Sequence, residues 1–303
     1  CFYCMPEEGI ELRDRSEFMT AEELIEIAKL FVSMGVKKIR LTGGEPLVKK
    51  NAKMVIEELG KLPIELTITT NAILVDKFID TFKNAGIKSV NVSLDSLKKE
   101  RFNNITKRDY FDKVLSNIDL LIDAGFKVKI NAVVMKNIND DEIIDFVKLS
   151  ENKPIDVRFI EFMPFDGNQW NWDKIVSYKE IIRLIHNNYK KEEIIQLKSA
   201  PNDTSKNFKL NNALGTFGII SSVTNPFCDT CNRIRLTADG KIKNCLFSED
   251  ETDLLTAFRN NEDISPLIIE SIKNKKAHHG GIDSFEKSDP SEFKNRSMIA
   301  IGG

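Results

Sequence analysis

Short apolar runs alternate with helical segments through the first half of the chain. The helical patterns end near Gly35, Gly60, Gly86 and Gly125, as left-handed C-caps would require. The predicted strands are Lys37–Thr42, Glu65–Thr70, Ser89–Leu94, Val128–Val134 and Asp156–Phe162. Repeated strand–helix units of this length specify a parallel sheet, because right-handed crossovers bring the strands side by side. The sequence therefore predicts an α/β fold, and the periodicity is compatible with both a doubly wound sheet and a barrel.

The pattern changes after residue 164. A helix is predicted over Ser177–Tyr189, and a short β-like run follows at Gly218–Val223 within a more polar stretch. We therefore divide the chain into a strand–helix domain over residues 1–164 and a smaller α+β region over residues 165–303.

All five cysteines fall into two tight groups. Cys1 and Cys4 open the chain, while Cys228, Cys231 and Cys245 lie near its end. A disulfide framework is typical of short secreted chains, whereas clustered Cys-x-x-Cys pairs in a chain of this kind indicate metal or redox chemistry. Thiolates suit both zinc and iron–sulfur clusters, so spacing alone leaves those two possibilities open.

Composition and charge narrow the class of partner. The chain has 303 residues, of which 41% are apolar and 30% charged, and it is expected to form a compact core. Lys and Arg number 44 against 46 Asp and Glu, so no global basic surface favours nucleic acid as a partner. There is no run of 18 apolar residues that would predict a membrane span. We expect a cytoplasmic protein whose anion sites are local.

Two motifs together resemble a known superfamily. Cys-Phe-Tyr-Cys-Met-Pro at residues 1–6 and Leu-Thr-Gly-Gly-Glu-Pro at residues 41–46 resemble the radical S-adenosylmethionine (SAM) superfamily and, within it, the GTP 3′,8-cyclase family. The superfamily motif is Cys-x-x-x-Cys-x-x-Cys, so Cys1 and Cys4 match its second and third cysteines. We expect the first cysteine and the first barrel strand to precede residue 1. The resemblance implies an incomplete parallel (β/α) TIM-type barrel, with the C-terminal region carrying a second cluster.

The same resemblance implies where the ligands bind. Cys1 and Cys4 would hold one [4Fe–4S] cluster. The positions that match SAM contacts are Tyr3, Gly44, Ser93 and Met163, and those that match GTP contacts are Arg40, Thr69 and Lys129. Most of these residues lie in or just after the C-terminal half of a predicted strand, where barrel enzymes assemble their sites. If the family resemblance is set aside, Gly44 also fits an ordinary turn between a strand and a helix.

The second cysteine group has its own pattern. Thirteen residues separate Cys231 from Cys245, and they include Arg233 and Arg235, which alternate on one strand face. Three thiolates fit a cluster or a zinc site that lacks one ligand. The resemblance implies a second [4Fe–4S] cluster on Cys228, Cys231 and Cys245 that binds the guanine end of GTP. The possible histidine ligands His186, His278 and His279 are less favoured.

By the same resemblance, Arg233 and Arg235 would bind GTP and act in catalysis, together with a C-terminal tail in which Gly302 and Gly303 reach the active site. The implied reaction uses a 5′-deoxyadenosyl radical to convert GTP to (8S)-3′,8-cyclo-7,8-dihydroguanosine 5′-triphosphate, the first step of molybdenum cofactor biosynthesis. The implied partners are a flavodoxin- or ferredoxin-type electron donor, a downstream cyclic pyranopterin monophosphate synthase and a second copy of the chain. Alternatives are a peptide-modifying radical SAM enzyme with an auxiliary cluster, or a zinc-stabilised binding protein.

Overall fold

One eight-stranded sheet forms the centre of the molecule. The computed structural model describes residues 1–4, 13–282, 284–286 and 295–302. The sheet order is β1-β2-β3-β4-β5-β8-β7-β6. Its strands are β1 (Lys38–Leu41), β2 (Glu65–Thr70), β3 (Ser89–Ser93), β4 (Lys127–Val134), β5 (Ile155–Glu161), β6 (Ile194–Gln196), β7 (Lys206–Leu210) and β8 (Thr216–Ile220).

Strands β1 to β5 and β8 run parallel, and β7 and β6 are added antiparallel. The five predicted strands are confirmed, with bounds that shift by a residue or two. In the described part of the chain, β1 and β6 end the sheet without pairing to each other, so the barrel is incomplete. The predicted α/β class and partial TIM-type barrel are confirmed.

Helices connect the strands of the sheet and cover it. They are α1 (Ala21–Ser33), α2 (Ala52–Gly60), α3 (Ile79–Asn84), α4 (Lys99–Thr106), α5 (Phe111–Asp123), α6 (Ile143–Asn152) and α7 (Tyr178–Asn188). A capping box begins α1, since the side chains of Thr20 and Glu23 each accept the other residue's backbone N–H. None of the helices in the described residues is long and apolar enough to cross a membrane.

The glycines at the helix ends have two different roles. Gly35, Gly86 and Gly125 have φ values of 101°, 68° and 85°, as left-handed C-caps require. Gly60 does not, because it is the last residue of α2 and remains helical. A Cβ there would lie 2.7 Å from Ala85, so this glycine allows α2 to approach the end of α3. The prediction of a left-handed cap at Gly60 was therefore wrong.

The C-terminal half completes the sheet and adds a smaller one. Strands β6 to β8 join the central sheet, so the predicted boundary between 1–164 and 165–303 falls within one continuous sheet, and the division stays a prediction. Strands β9 (Arg235–Leu236), β10 (Lys241–Lys243) and β11 (Thr252–Asp253) form an antiparallel sheet, followed by α8 (Leu255–Arg259), α9 (Ser265–Lys273) and α10 (Met298–Ile301). Residues of this small sheet and of α9 share a hydrophobic core with α1, which fixes the second cysteine group beside the barrel.

Candidate active site

The N-terminal cysteine segment lies at the carboxyl end of β3. The Tyr3 hydroxyl donates to Oδ2 of Asp95 at 2.7 Å, and the Phe2 backbone N–H donates to the Ile105 carbonyl at 3.1 Å. Asp95 follows β3 by two residues, and the Tyr3 ring packs edge-on against Phe162 just beyond β5. These contacts place Cys1 and Cys4 where the parallel strands end, which is where barrel enzymes assemble their active sites.

Asp95 joins this segment to the sheet. Its other carboxylate oxygen accepts the backbone N–H of Val133 at 2.9 Å, and its carbonyl accepts the Asn139 amide at 2.7 Å. Burial raises the pKa of Asp95 to about 6, against the opposing effect of its hydrogen bonds. Burial, followed by the charge of Asp95, also raises the pKa of Tyr3 well above its usual value, so the phenol keeps the proton that it donates.

The Gly-Gly-Glu-Pro turn follows β1. Gly43 has a φ of 141°, which favours glycine, whereas a Cβ on Gly44 would make only an ordinary 3.5 Å contact with Ile299. Glu45 accepts the Thr70 hydroxyl at 2.8 Å and the Asn71 backbone N–H at 2.6 Å. Burial raises the pKa of Glu45. This carboxylate ties the turn after β1 to the end of β2.

The remaining predicted SAM and GTP positions are distributed around the same sheet. Ser93 ends β3 and is exposed, while Met163 follows β5 and packs against the cluster that contains Phe162. Thr69 is buried on β2, where its hydroxyl accepts the Asn91 amide at 3.5 Å. Their assignments to SAM and GTP stay predictions.

A group of cations gathers across three strands of the sheet and β9. Its members are Arg40 on β1, Lys129 on β4, Arg158 on β5, Arg233, and Arg235 on β9. Burial lowers the pKa of Arg40, and the charges of Arg158 and Arg233 lower it further. Burial also lowers the pKa of Arg235 to about 10, with Arg40 and Arg233 contributing. We call these five residues the cationic cluster.

One carboxylate offsets part of this charge. Asp156 accepts Nη2 of Arg158 at 3.1 Å and lies 3.9 Å from Nζ of Lys129. It also accepts the Thr216 hydroxyl at 2.9 Å. Asp156 lies beside only two of the five cations, and the charge of Glu65 acts on Arg40. The cationic cluster therefore keeps an excess of positive charge, which suits a multiply charged anion.

The second cysteine group lies beside Arg233 and Arg235. Burial raises the pKa of Cys228, and the charges of Cys245 and Cys231 add to this, so the three thiols lie near one another. Burial alone would raise the pKa of Cys231, but a hydrogen bond from the Arg233 backbone and the charges of Arg233 and Lys275 lower it overall. The environment of Cys231 therefore favours the thiolate, which is the form that binds metal.

The C-terminal segment connects the two cysteine groups. Arg235 donates through Nη1 to the carbonyl of Gly302, and a Cβ on Gly302 would collide with the Thr42 hydroxyl. The Ser297 hydroxyl donates to the Cys4 carbonyl at 3.2 Å. Gly302 thus lies at the turn after β1, whereas Gly303 lies outside the described residues. The active-site role of the two glycines stays a prediction.

Comparison with known proteins shows the family. The Radical SAM superfamily model matches residues 1–150, and the Molybdenum Cofactor Synthesis C model matches residues 155–281. The chain is 43% identical over 309 residues to "GTP 3',8-cyclase, mitochondrial" of Arabidopsis thaliana, covering 100% of this chain and 77% of the relative. It is 40% identical over 310 residues to "GTP 3',8-cyclase" of Peptoclostridium acidaminophilum, covering 100% and 91%. The chain belongs to the radical SAM family of molybdenum cofactor biosynthesis proteins.

Other relatives of this family are longer. The chain is 41% identical to "Molybdenum cofactor biosynthesis protein 1" of Drosophila melanogaster, covering 92% of this chain but 50% of the relative. It therefore spans about half the length of several curated relatives. Among solved structures, Streptococcus suis SuiB bound to S-adenosylmethionine has a TM-score of 0.59 at 16% identity, covering 88% of this chain and 63% of SuiB. This likeness concerns the fold alone.

Family membership implies SAM and [4Fe–4S] clusters, and the residues present fit them. Thiolates are the ligands of such clusters. The first cysteine group contacts the tail through Cys4, and the second lies beside Arg235 of the cationic cluster. Among the described residues, no three His, Cys, Asp or Glu side chains are grouped around a point that could hold a single metal ion. A [4Fe–4S] cluster places each thiolate on a different iron, so its ligands stand around a larger body than one ion.

Two of the three histidines lie near the second cysteine group, where the His279 backbone forms a hydrogen bond with Cys228. His279 Nε2 lies 2.9 Å from the Ser222 carbonyl, and His278 lies 3.7 Å from Asp229 at the surface. His186 is an exposed residue of α7.

Sequence reasoning missed two residues, Lys275 and Arg296, that the structure places at the site. Lys275 contacts Cys231, and Arg296 anchors the tail through a 2.9 Å ion pair with Asp239 and a second pair with Glu251. None of these residues belongs to a local motif. Their roles depend on long-range contacts that a single sequence does not reveal.

Proposed function

We propose that the protein is a GTP 3′,8-cyclase. It would convert GTP to (8S)-3′,8-cyclo-7,8-dihydroguanosine 5′-triphosphate, the first step of molybdenum cofactor biosynthesis. The names of the Arabidopsis and Peptoclostridium relatives support this proposal. The observation that carries it is the tail: Ser297 contacts Cys4, while Gly302 contacts Arg235 between the cysteines of the second group. The tail therefore links the first cysteine group to the cationic cluster and to the segment between the cysteines of the second group.

The cationic cluster would bind the triphosphate. Neighbouring arginines lower the pKa values of Arg40 and Arg235, which shows that these positive charges repel one another, so a bound anion would relieve that repulsion. Partial burial strengthens such interactions relative to water. Guanidinium groups also match phosphate geometry through paired N–H donors. The protein would thus hold the triphosphate while the guanine end is directed to the second cysteine group.

The cofactors would occupy the two cysteine groups. Cys1 and Cys4 would be ligands of the first cluster, and Cys228, Cys231 and Cys245 would be ligands of the second. When bound, SAM and the first cluster supply a 5′-deoxyadenosyl radical that removes a hydrogen atom from the ribose. Because the Tyr3 hydroxyl is engaged by Asp95, a contact between Tyr3 and SAM would use its ring or backbone. Gly44, Ser93 and Met163 remain the other proposed SAM contacts.

The protein's contribution to ring closure would be positional. Fixing the triphosphate and the base at separate points restrains the ribose between them, which favours a bond between carbon 3′ and carbon 8 of one molecule. The proposed partners remain a flavodoxin- or ferredoxin-type electron donor, a downstream cyclic pyranopterin monophosphate synthase and a second copy of the chain. A cytoplasmic location also stays a proposal, and the Arabidopsis relative is named mitochondrial.

Anaerobic reconstitution tests this function. The complete gene product is loaded with iron and sulfide, then incubated with SAM, dithionite and GTP, and the products are analysed by mass spectrometry. We expect 5′-deoxyadenosine together with a product isomeric with GTP. Cys231→Ala should lose the GTP-derived product, whereas Arg183→Met, at an exposed position on α7, should retain it. SAM cleavage with GTP unchanged would reject the substrate, and failure to bind iron would reject the enzyme class.

A further inference from the structure

Lys275 lies two residues after α9 and points into the second cysteine group. Its Nζ lies 3.3 Å from Cys231 Sγ, 3.0 Å from the Cys231 carbonyl and 3.0 Å from the Arg233 carbonyl. Among the described residues, the Lys275 ammonium group forms no hydrogen bond with a carboxylate. The ammonium group is therefore partly buried and directed at a sulfur, with two carbonyl oxygens holding it in place.

This arrangement is specific to Lys275 among its neighbours. Lys273 and Lys276 are exposed, whereas Lys275 is partly buried. An ammonium group that leaves water without a carboxylate partner loses solvation that neutral carbonyl groups restore only in part. A negatively charged group at Cys231 would supply the missing counter-charge.

An iron–sulfur cluster on Cys231 would be that group. Reduction adds one negative charge to a cluster, and hydrogen bonds to the ligand sulfurs, together with nearby charge, set its reduction potential. A fixed cationic N–H donor at Cys231 Sγ stabilises the reduced form more than the oxidised form. We propose that Lys275 raises the reduction potential of the second cluster. This inference rests on the proposed function only in placing a cluster on Cys228, Cys231 and Cys245.

Lys275 also acts on the backbone of this segment. Its bonds to the Cys231 and Arg233 carbonyls bridge the cluster ligand and the start of the Arg233–Arg235 segment. If Lys275 had only a structural role, replacing it would loosen this segment, but the reduction potential of the second cluster would not depend on the charge at residue 275. The midpoint potential therefore distinguishes an electrostatic role from a structural one.

The test uses a Cys1→Ala/Cys4→Ala background, so that only the second cluster gives a signal. After anaerobic reconstitution, the midpoint potential is measured by redox titration with electron paramagnetic resonance, without GTP or SAM. Lys275→Met removes the charge and the donor, and Lys276→Met is the matched control. We expect Lys275→Met to favour the oxidised form at least tenfold at a fixed potential, which is a downward shift of ~59 mV for a one-electron couple. Lys276→Met should match the background protein.

Two further variants keep the test decisive if Lys275→Met loses its iron. Lys275→Arg retains the charge and should stay near the background potential, whereas Lys275→Gln lacks the charge and should lie below it. Potentials for Lys275→Met or Lys275→Gln that equal the control would overturn the proposal. Because no substrate is present, a correct result would stand even if GTP proved to be the wrong substrate. Absence of any iron in the background protein would overturn the inference and the cluster assignment together.

Discussion

Replacing Arg235 should make the ligand-free protein more stable while weakening GTP binding. Burial and the neighbouring arginines lower the pKa of Arg235 to about 10. At about 1.4 kcal/mol per pKa unit, holding this charge in the folded state costs at most about 3.5 kcal/mol. The cost is fully present below pH 10, because the unfolded arginine also stays protonated there, and it disappears as the pH rises toward the pKa of the unfolded arginine.

The variant Arg235→Met also loses a hydrogen bond. The bond from Nη1 to the Gly302 carbonyl has a charged donor and contributes about 1.5 to 3 kcal/mol. The two effects leave a net stabilisation of about 1 kcal/mol at pH 7. Binding of GTP should weaken by about tenfold or more, since one charge-assisted bond to phosphate is lost.

Guanidinium chloride unfolding at pH 7 measures the first effect, and calorimetric titration with GTP measures the second. Arg183→Met is the control, because it removes the same group from an exposed position and should change neither quantity. A variant that is destabilised by more than about 1 kcal/mol, or that binds GTP like the parent protein, would refute the electrostatic reasoning.

Three other changes probe the frame of the site. Because burial raises the pKa of Asp95 from 3.8 to about 6, the unfolding free energy should fall by about 2 kcal/mol as the pH rises from 4 to 6. Urea titrations of Asp95→Asn should lack this component. Arg296→Met breaks two ion pairs with largely buried carboxylates and should lower the unfolding free energy by about 2 to 3 kcal/mol. The control Lys29→Met breaks an exposed ion pair and should lower it by less than about 1 kcal/mol in the same urea titrations. Gly215→Ala would push a Cβ into a strand carbonyl and lower the melting temperature, but Gly44→Ala meets only an ordinary contact and should not. Equal losses of stability for Arg296→Met and Lys29→Met, or for Gly215→Ala and Gly44→Ala, would contradict these predictions. The Asp95 prediction would be contradicted if Asp95→Asn kept the pH dependence of the parent protein.

Much of the fold could be predicted because its signals are local. Apolar strands, the Thr20 capping box and three left-handed glycine caps all lie within short windows of sequence. The parallel arrangement of β5 and β8 could not be predicted in this way, since the antiparallel pair β6–β7 lies between them in sequence. Gly60 was misread because its reason is a contact with a helix more than twenty residues away.

The candidate site shows the same division. The cysteines, Arg233 and Arg235 form compact motifs, so their grouping could be anticipated. Lys275 and Arg296 lie in stretches without a motif, and only the packed structure brings them to Cys231 and Asp239. Charge alone would not distinguish Lys275 from Lys273 or Lys276, because what differs is burial.

The most direct measurement of the proposed activity follows one hydrogen atom. GTP carrying deuterium at carbon 3′ is incubated with the reconstituted enzyme, SAM and dithionite, and the 5′-deoxyadenosine is analysed by mass spectrometry. The proposal predicts that 5′-deoxyadenosine gains one deuterium while the GTP-derived product loses it. Unlabelled 5′-deoxyadenosine formed in step with a GTP-derived product would contradict hydrogen removal from that carbon and, with it, the proposed reaction.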